Sequence, residues 1–167
     1  QMCIRDSYKI GYKSPYRHLD RLTRVYEYMG PAWYQREIEI PAAWKGKRIF
    51  LYFERTHWLS SVYVGKEEVS KIDYISIPHN HELTQWLHPG KKELITFCID
   101  NRYQYDTHKW DHAHSEFTQI NWNGVLGEIK LVAVDPVYVD DMQVYPDIKN
   151  KSIKVKMTVR NCTCLLY

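Results

Sequence analysis

Six polar and aromatic residues in the segment 114–127 carry the side chains that a sugar-binding site needs. They are Glu116, Thr118, Gln119, Asn121, Trp122 and Asn123. Amide, hydroxyl and carboxylate groups hydrogen-bond to sugar hydroxyls, and an indole ring packs against the C–H face of a pyranose. A strand that only builds a core alternates apolar and polar residues, which this segment does not. The pattern favours a carbohydrate-contacting segment, and the alternative is a polar loop around one buried tryptophan.

Glycosidic hydrolysis requires two carboxyl groups roughly 5 to 10 Å apart across the scissile bond. Glu116 is the only acidic residue in the segment 114–127. The sequence also lacks a nucleophilic serine elbow, a phosphate-binding loop and a dinucleotide fingerprint. We therefore assign no catalytic residue and expect this chain to be inactive by itself.

A second cluster of chemistry-bearing residues precedes this segment. It consists of His108, His112 and His114 together with Asp106 and Asp111. Imidazole and carboxylate groups in one loop can converge on a metal ion, but this spacing matches no compact zinc motif and no calcium loop. Hydrogen bonding to the local backbone is the alternative. We assign neither a metal nor another cofactor.

The composition narrows the function classes. The chain has 167 residues, enough for one domain and part of another, and its 14 tyrosines and 6 tryptophans favour a recognition surface. The charged residues behind the net charge of +3 are scattered along the chain, so we expect no nucleic-acid partner. No apolar run is long enough for a membrane span.

The four cysteines fit neither a zinc site nor a disulfide framework, and Cys98 is expected to be a buried thiol. No signal-peptide pattern is present, and the sequence assigns no compartment.

Short strands separated by Pro, Gly and Asn turns must position these side chains. The pattern predicts strands over 33–40, 48–54, 59–64, 72–77, 94–100, 125–134, 137–144 and 153–159, with a short return strand through Val69 and one helical turn over 81–87. The predicted core contains Phe50, Leu51, Phe53, Ile95, Phe97 and Ile99. The long irregular loop over 101–115 is typical of a functional loop. With no long helix and no internal repeat, the fold class is all-β, an antiparallel β-sandwich such as a jelly roll.

The chain divides into two unequal parts. The segment 8–135 is the predicted sandwich, and a boundary follows at Pro136. The segments 1–7 and 164–167 look like translated sequencing-adapter read-through, so we exclude both from the fold interpretation and expect a fragment of a longer protein.

An ordered set of short motifs resembles the amino-terminal sugar-binding domain of glycoside hydrolase family 2, which includes β-galactosidases, β-glucuronidases and β-mannosidases. The motifs are 30–36 (GPAWYQR), 38–41 (IEIP) with Trp44, 46–48 (GKR), 53–54 (FE), 62–64 (VYV), Leu87 with 89–91 (PGK), 100–101 (DN) and 123–127 (NGVLG). The resemblance implies a jelly roll, then an immunoglobulin-like sandwich that would begin with residues 136–161, and then a TIM barrel carrying two catalytic glutamates. It is compatible with a periplasmic or secreted location.

The resemblance also implies a role for the loop before Gly124. In the family, this loop reaches into the barrel's active site, where an acidic residue binds the terminal sugar. That position falls on Thr118 here, which is a departure, and Glu116 is the substitute candidate because it shares a face with residue 118 in an extended chain. A second departure is Val64-Gly65, where relatives often have Asn-Gly.

Three hypotheses follow from these residues. The leading one is a non-catalytic carbohydrate-binding domain of a retaining exo-glycosidase, whose partners are the terminal sugar of an oligosaccharide or polysaccharide and the enzyme's own barrel. The second is a free-standing lectin-like module. The third is a structural spacer, in which the segment 116–123 is ordinary or buried.

Overall fold

The structure, a computed structural model, describes residues 28–102, 105 and 124–163. The strands are β1 (Pro31–Glu39), β2 (Arg48–His57), β3 (Leu59–Val64), β4 (Glu67–Asp73), β5 (His79–Glu82), β6 (Lys92–Asp100), β7 (Gly124–Val134), β8 (Val137–Asp147) and β9 (Ser152–Asn161). One 3-10 turn spans Ala42–Trp44. Within the described ranges, no helix is long and apolar enough to cross a membrane.

Two antiparallel sheets form the main body of the protein. One has the strand order β1-β6-β3-β4, and the other has the order β5-β2-β7. Every strand pair is antiparallel, so the predicted antiparallel β-sandwich is confirmed. Strand β2 is the central strand of its sheet and carries apolar residues on both of its faces.

The prediction of a helical turn over 81–87 is wrong for its first residues, 81 and 82. His81 lies in β5, where buried His79 and His81 alternate with exposed Asn80 and Glu82. This period of two lets the strand pair with β2, where His81 faces Leu51. The strand predicted over 72–77 likewise ends early, since β4 stops at residue 73.

The core lies between the two sheets and mostly matches the predicted one. Leu51 and Phe53 of β2 are buried against Ile95 and Ile99 of β6, which confirms four of the predicted core residues. Phe97 is half-buried, stacks on Tyr34 at a ring-centroid distance of 4.9 Å and meets Phe53 at a tilt, at 4.8 Å.

Phe50 does not belong to this core, and the prediction for it is wrong. Successive side chains of a strand point to opposite faces, so Phe50 points away from the face that Leu51 buries. Its ring instead meets the ring of Tyr138 edge-on, at 6.2 Å. Phe50 therefore belongs to the junction between the sandwich and the β8–β9 hairpin.

The hairpin of β8 and β9 has one apolar face that is exposed to solvent. Its cross-strand pairs are Val139 with Val159, Met142 with Met157, and Val144 with Val155. All six side chains are between 44% and 60% exposed. An amphipathic two-stranded sheet is marginal without a partner layer, so this face has the composition of an inner face.

Candidate functional site

The predicted site residues lie outside the part of the chain that the structure describes. This applies to Glu116, Thr118, Gln119, Asn121, Trp122 and Asn123, and to His108, His112 and His114. Their flanking residues are described. Arg102 and Tyr105 belong to the loop over 101–115, and Gly124 follows the segment 116–123. These flanking residues define the candidate site as one rim of the sandwich.

At this rim, the dipeptide His57-Trp58 connects the two sheets. His57 ends β2 and pairs with Gly124, the first residue of β7. The next residue, Trp58, donates its backbone N–H to the carbonyl of Asp100 at 3.2 Å, at the end of β6. The peptide bond between His57 and Trp58 is cis. The residues on either side of the long loop therefore both contact this one dipeptide.

Asn101 fixes the start of β1 to this rim. Its Oδ1 accepts a hydrogen bond from the backbone N–H of Gly30 at 2.8 Å, and its Nδ2 donates to the carbonyl of Tyr28 at 2.7 Å. Asn101 and Gly30 are buried, so the bond to the Gly30 N–H satisfies a backbone donor inside the protein. The Asp-Asn motif seen in the sequence thus has a positioning role here.

Asp100 is held by the residue that leads into the loop. Arg102 donates from Nε to both carboxylate oxygens at 3.0 Å and from Nη2 to Oδ2 at 2.5 Å, and its backbone N–H adds a bond of 3.0 Å to Oδ1. These hydrogen bonds hold the pKa of Asp100 below its ordinary value, against the opposing effect of burial. Asp100 is therefore an ionised anchor rather than a proton donor.

Two aromatic rings continue the rim. The buried ring of Trp58 lies 6.1 Å from the ring of His57 and 6.2 Å from that of Tyr105. Tyr105 is 59% exposed and donates its hydroxyl to Asp73 Oδ2 at 2.5 Å. Tyr105 is thereby held against the end of β4.

Glu54 shapes the strand that leads away from the loop. Its Oε2 accepts a hydrogen bond from the backbone N–H of Glu128 at 2.9 Å. The register of β2 and β7 shifts between Phe53 and Arg55, so Gly127 and Glu128 of β7 form a β-bulge opposite Glu54. In the sequence, Glu54 was recognised only as a motif residue. The signal that could have indicated its role is the Gly-Val-Leu-Gly run of β7, which lies opposite the acidic Glu54 of β2.

The rim's described carboxylates are thus all engaged with donors. Glu54 binds backbone, Asp73 accepts from Tyr105, and Asp100 pairs with Arg102. Each of these carboxylates accepts a hydrogen bond from a donor of the protein itself, which fixes its position. These bonds hold Arg102, Tyr105 and Glu128 in place along the described rim.

A buried chain of serine and histidine side chains lies elsewhere, between β3, β4 and β5. Ser60 Oγ lies 2.6 Å from His79 Nδ1 and 2.8 Å from His81 Nε2. His79 Nε2 faces the carbonyl of Tyr74 at 2.8 Å, and His81 Nδ1 faces Ser70 Oγ at 2.8 Å. Sequence reasoning missed this network.

The geometry of this network assigns its protons when both histidines are neutral. A carbonyl only accepts, so His79 Nε2 carries the hydrogen and His79 Nδ1 accepts from Ser60. Ser60 then accepts from His81 Nε2, and His81 Nδ1 accepts from Ser70. Burial lowers the pKa of both histidines, that of His81 to about 3. Ser60, His79 and His81 are fully buried, which assigns the group to the core and not to catalysis.

A cleft of about 290 Å³ lies at the opposite end of β2 and is lined by Trp44, Arg48, Pro136 and Cys162, among others. The ten residues of β2 separate this cleft from the rim by about 30 Å. Across the described ranges, no three His, Cys, Asp or Glu side chains gather as metal ligands would.

Comparison with known proteins finds sequence relatives among β-glucuronidases and β-galactosidases. No protein-family model matches it. It is similar to the β-glucuronidase of Formosa agariphila, with 24% identity over 122 residues that cover 68% of this chain and 12% of that protein. It is also similar to the β-galactosidase of Thermoanaerobacter pseudethanolicus, with 22% identity over 128 residues that cover 76% of this chain and 17% of that protein.

A solved structure shares the fold. The β-glucuronidase of Ruminococcus gnavus superimposes with a TM-score of 0.69 at 20% identity, covering 82% of this chain and 25% of that one. The sequence relatives are enzymes of the kind that the motifs indicated, so the resemblance to glycoside hydrolase family 2 is confirmed. The chain spans only a small part of the length of each relative.

Proposed function

We propose that this chain is the non-catalytic carbohydrate-binding domain of a retaining exo-glycosidase of the β-galactosidase and β-glucuronidase type. In this proposal, the segment 116–123 contacts the terminal sugar of the substrate. A barrel domain elsewhere in the same enzyme supplies the two catalytic carboxyl groups. The relatives named above support the enzyme class, and each is several times longer than this chain.

One observation carries the proposal. The chain leaves β6 next to Asp100 and returns into β7 at Gly124, and both positions contact the His57-Trp58 step. A loop whose two ends are held at one rigid rim can present side chains in a reproducible geometry, which a sugar-contacting loop requires. The segment with the sugar-binding composition lies between these two anchors in the sequence.

The exposed apolar face of the β8–β9 hairpin supports a second domain. We propose that residues 136–161 are the opening strands of an immunoglobulin-like sandwich whose other sheet covers this face. Ion pairing of Lys47 with Asp135 at 2.9 Å and the contact of Phe50 with Tyr138 attach the hairpin to the first sandwich. The second sandwich would then link the sugar-binding domain to the barrel.

The test compares the chain with the complete enzyme encoded around it. The 167-residue chain should hydrolyse neither an aryl β-glucuronide nor an aryl β-galactoside, while the complete enzyme should hydrolyse one of them. In the complete enzyme, Glu116→Gln should lower kcat/KM with the melting temperature unchanged. Turnover by the chain alone, abolished by Glu116→Gln, would contradict the proposal.

Binding to the isolated chain separates this proposal from a free-standing lectin. Because most of the sugar's partners would lie in other domains, D-glucuronic acid and D-galactose should bind the chain with millimolar or weaker affinity. Micromolar binding that is lost in Trp122→Ala would favour the lectin.

A further inference from the structure

The sheet of β1, β6, β3 and β4 has an outer face that turns away from the core. Tyr34, Phe97 and Val62 point inward to the core cluster, so their neighbours along each strand point outward. The outward residues in two adjacent rows are Trp33, Cys98 and Ser61, and Gln35, Thr96 and Tyr63. This outer face is on strands apart from the segment 116–123.

Two aromatic rings meet on the outer face across an intervening strand. Trp33 is on β1 and Tyr63 is on β3, which are separated by β6 and hence by about 10 Å of backbone. Their ring centroids are nevertheless 5.5 Å apart with planes tilted by 40°. The rings can lean together because the middle strand carries only the small side chains of Thr96 and Cys98 at these positions.

The tryptophan of this pair is open to solvent, with 60% of its surface exposed, whereas Cys98 in the central strand is buried. An indole contributes little to the core in such a position, although it has a large apolar surface to offer a ligand. Tyr63 is half-buried and supports one side of the ring. We call this pair the platform: Cys98 beneath it is buried, and the ring of Trp33 is exposed to solvent.

Polar groups with fixed orientation surround the platform. Gln35 donates from Nε2 to Thr96 Oγ1 at 2.8 Å, and the hydroxyl of Tyr63 donates to Glu68 Oε2 at 2.7 Å. The bond to Glu68 raises the pKa of Tyr63. An amide oxygen on Gln35 and a second carboxylate oxygen on Glu68 stay available as acceptors on either side of the rings.

We propose that this face is a second carbohydrate-binding surface, which takes pyranose residues whose ring substituents are all equatorial. Such rings present axial C–H groups on both faces and hydroxyls around the edge, so they can stack on Trp33 while Gln35 and Glu68 accept bonds from the edge. Glu68 and the nearby exposed Glu37 disfavour a nucleic-acid ligand, whose phosphates they would repel.

The position of the platform favours an extended ligand. Pro31, two residues before Trp33, pairs with Asp100 of the rim, so the platform begins about 7 Å from the rim along β1. A chain of sugars bound here would run along β1 toward the rim at Asp100. The platform does not depend on the segment 116–123, and either surface can fail without the other.

The experiment titrates the 15N-labelled 167-residue chain with cellohexaose, whose glucose units are all-equatorial, and with maltohexaose as the α-linked comparison. The indole N–H signal of Trp33, assigned from Trp33→Phe, should shift with cellohexaose at a dissociation constant of roughly 0.1 to 1 mM. Trp33→Ala should weaken binding at least about tenfold. Trp86→Ala, which removes an exposed tryptophan that lies outside the platform, should leave binding unchanged.

Other results would contradict carbohydrate binding by this face. If the Trp33 signal does not move at about 10 mM cellohexaose, or if Trp33→Ala binds as tightly as the parent chain, the proposal is wrong. Self-association that depends on Trp33, with no response to sugar, would assign the face to a protein contact instead and would also overturn it. Neither result bears on Trp122 or on hydrolysis, so the proposed function stands or falls separately.

Discussion

The carboxylate of Glu54 occupies the place where a side chain at Gly127 would begin. A Cβ added to Gly127 would lie 2.0 Å from Glu54 Oε2 and 2.4 Å from its carboxyl carbon. Gly127 also has φ +79°, in the left-handed region that favours glycine. Two independent constraints, one steric and one conformational, therefore require glycine at this position.

Gly127→Ala should destabilise the fold by about 2 to 4 kcal/mol in urea melts, because the bulge must open or Glu54 must leave its backbone partner. Gly46→Ala is the matched control, since Gly46 has the same φ of +79° with nothing within 4 Å of its added Cβ. That variant should cost only about 1 kcal/mol. Equal effects of the two substitutions would show that the contact with Glu54 contributes nothing.

The buried histidines should make the fold sensitive to acid. Their pKa values are lowered in the folded state, so below about pH 6.5 the unfolded chain binds protons that the folded chain excludes. Stability is therefore fully present above that pH and falls as pH decreases toward about 3, the folded pKa of His81. The slope is at most about 1.4 kcal/mol per pH unit for each histidine.

Two measurements check this dependence. The melting temperature should fall between pH 7 and pH 5, and the ring signals of His81 should not titrate over the same range, as expected for an imidazole that stays neutral. A melting temperature that rises toward pH 5, or a His81 ring that titrates near pH 6.5, would refute the assignment of protons within the network.

Leu51 and Phe50 are neighbours that should respond very differently to truncation. Leu51 is 4% exposed within the core, so Leu51→Ala should cost roughly 2 to 5 kcal/mol in urea melts. Phe50→Ala removes more atoms but from a half-buried ring at the hairpin junction, and it should cost less. A loss below about 1 kcal/mol for Leu51→Ala would mean that the core is placed wrongly.

The sequence predicted most of the strands because hydrophobic alternation is a local property. It located β2, β3, β6 and β7 to within three residues at each end. It failed for β5 because histidine counts as polar, whereas His79 and His81 become core residues through serine partners distant in sequence. The His-Asn-His-Glu alternation was present and could have indicated a strand.

The sequence predicted the composition of the candidate site but not the residues that position it. The segment 116–123 was recognised by its amides and indole, which requires no knowledge of the fold. The roles of Asn101 and Glu54 depend on contacts to residues more than 70 positions away, with Gly30 and with Glu128. No local pattern contains such information, so these residues were visible only as motif letters.

Trp122 stands two residues before the rim residue Gly124 in the sequence. In the complete enzyme, Trp122→Ala should lower kcat/KM while leaving the melting temperature unchanged, because it would remove ring stacking on the terminal sugar. Stacking and a hydrogen bond from Asn121 together correspond to about 1 to 3 kcal/mol of sugar binding. Both quantities must be measured on the same preparation.

Measuring activity together with stability distinguishes a Trp122 that contacts substrate from a Trp122 that packs in the core. A loss of transition-state binding at constant stability is the signature of a residue that touches substrate. Trp58→Phe is the matched control, since Trp58 is a buried indole of the rim and should affect melting more than catalysis. If Trp122→Ala instead lowers the melting temperature and leaves activity per folded molecule intact, Trp122 is a core residue. The segment 116–123 would then lose its role as the sugar contact.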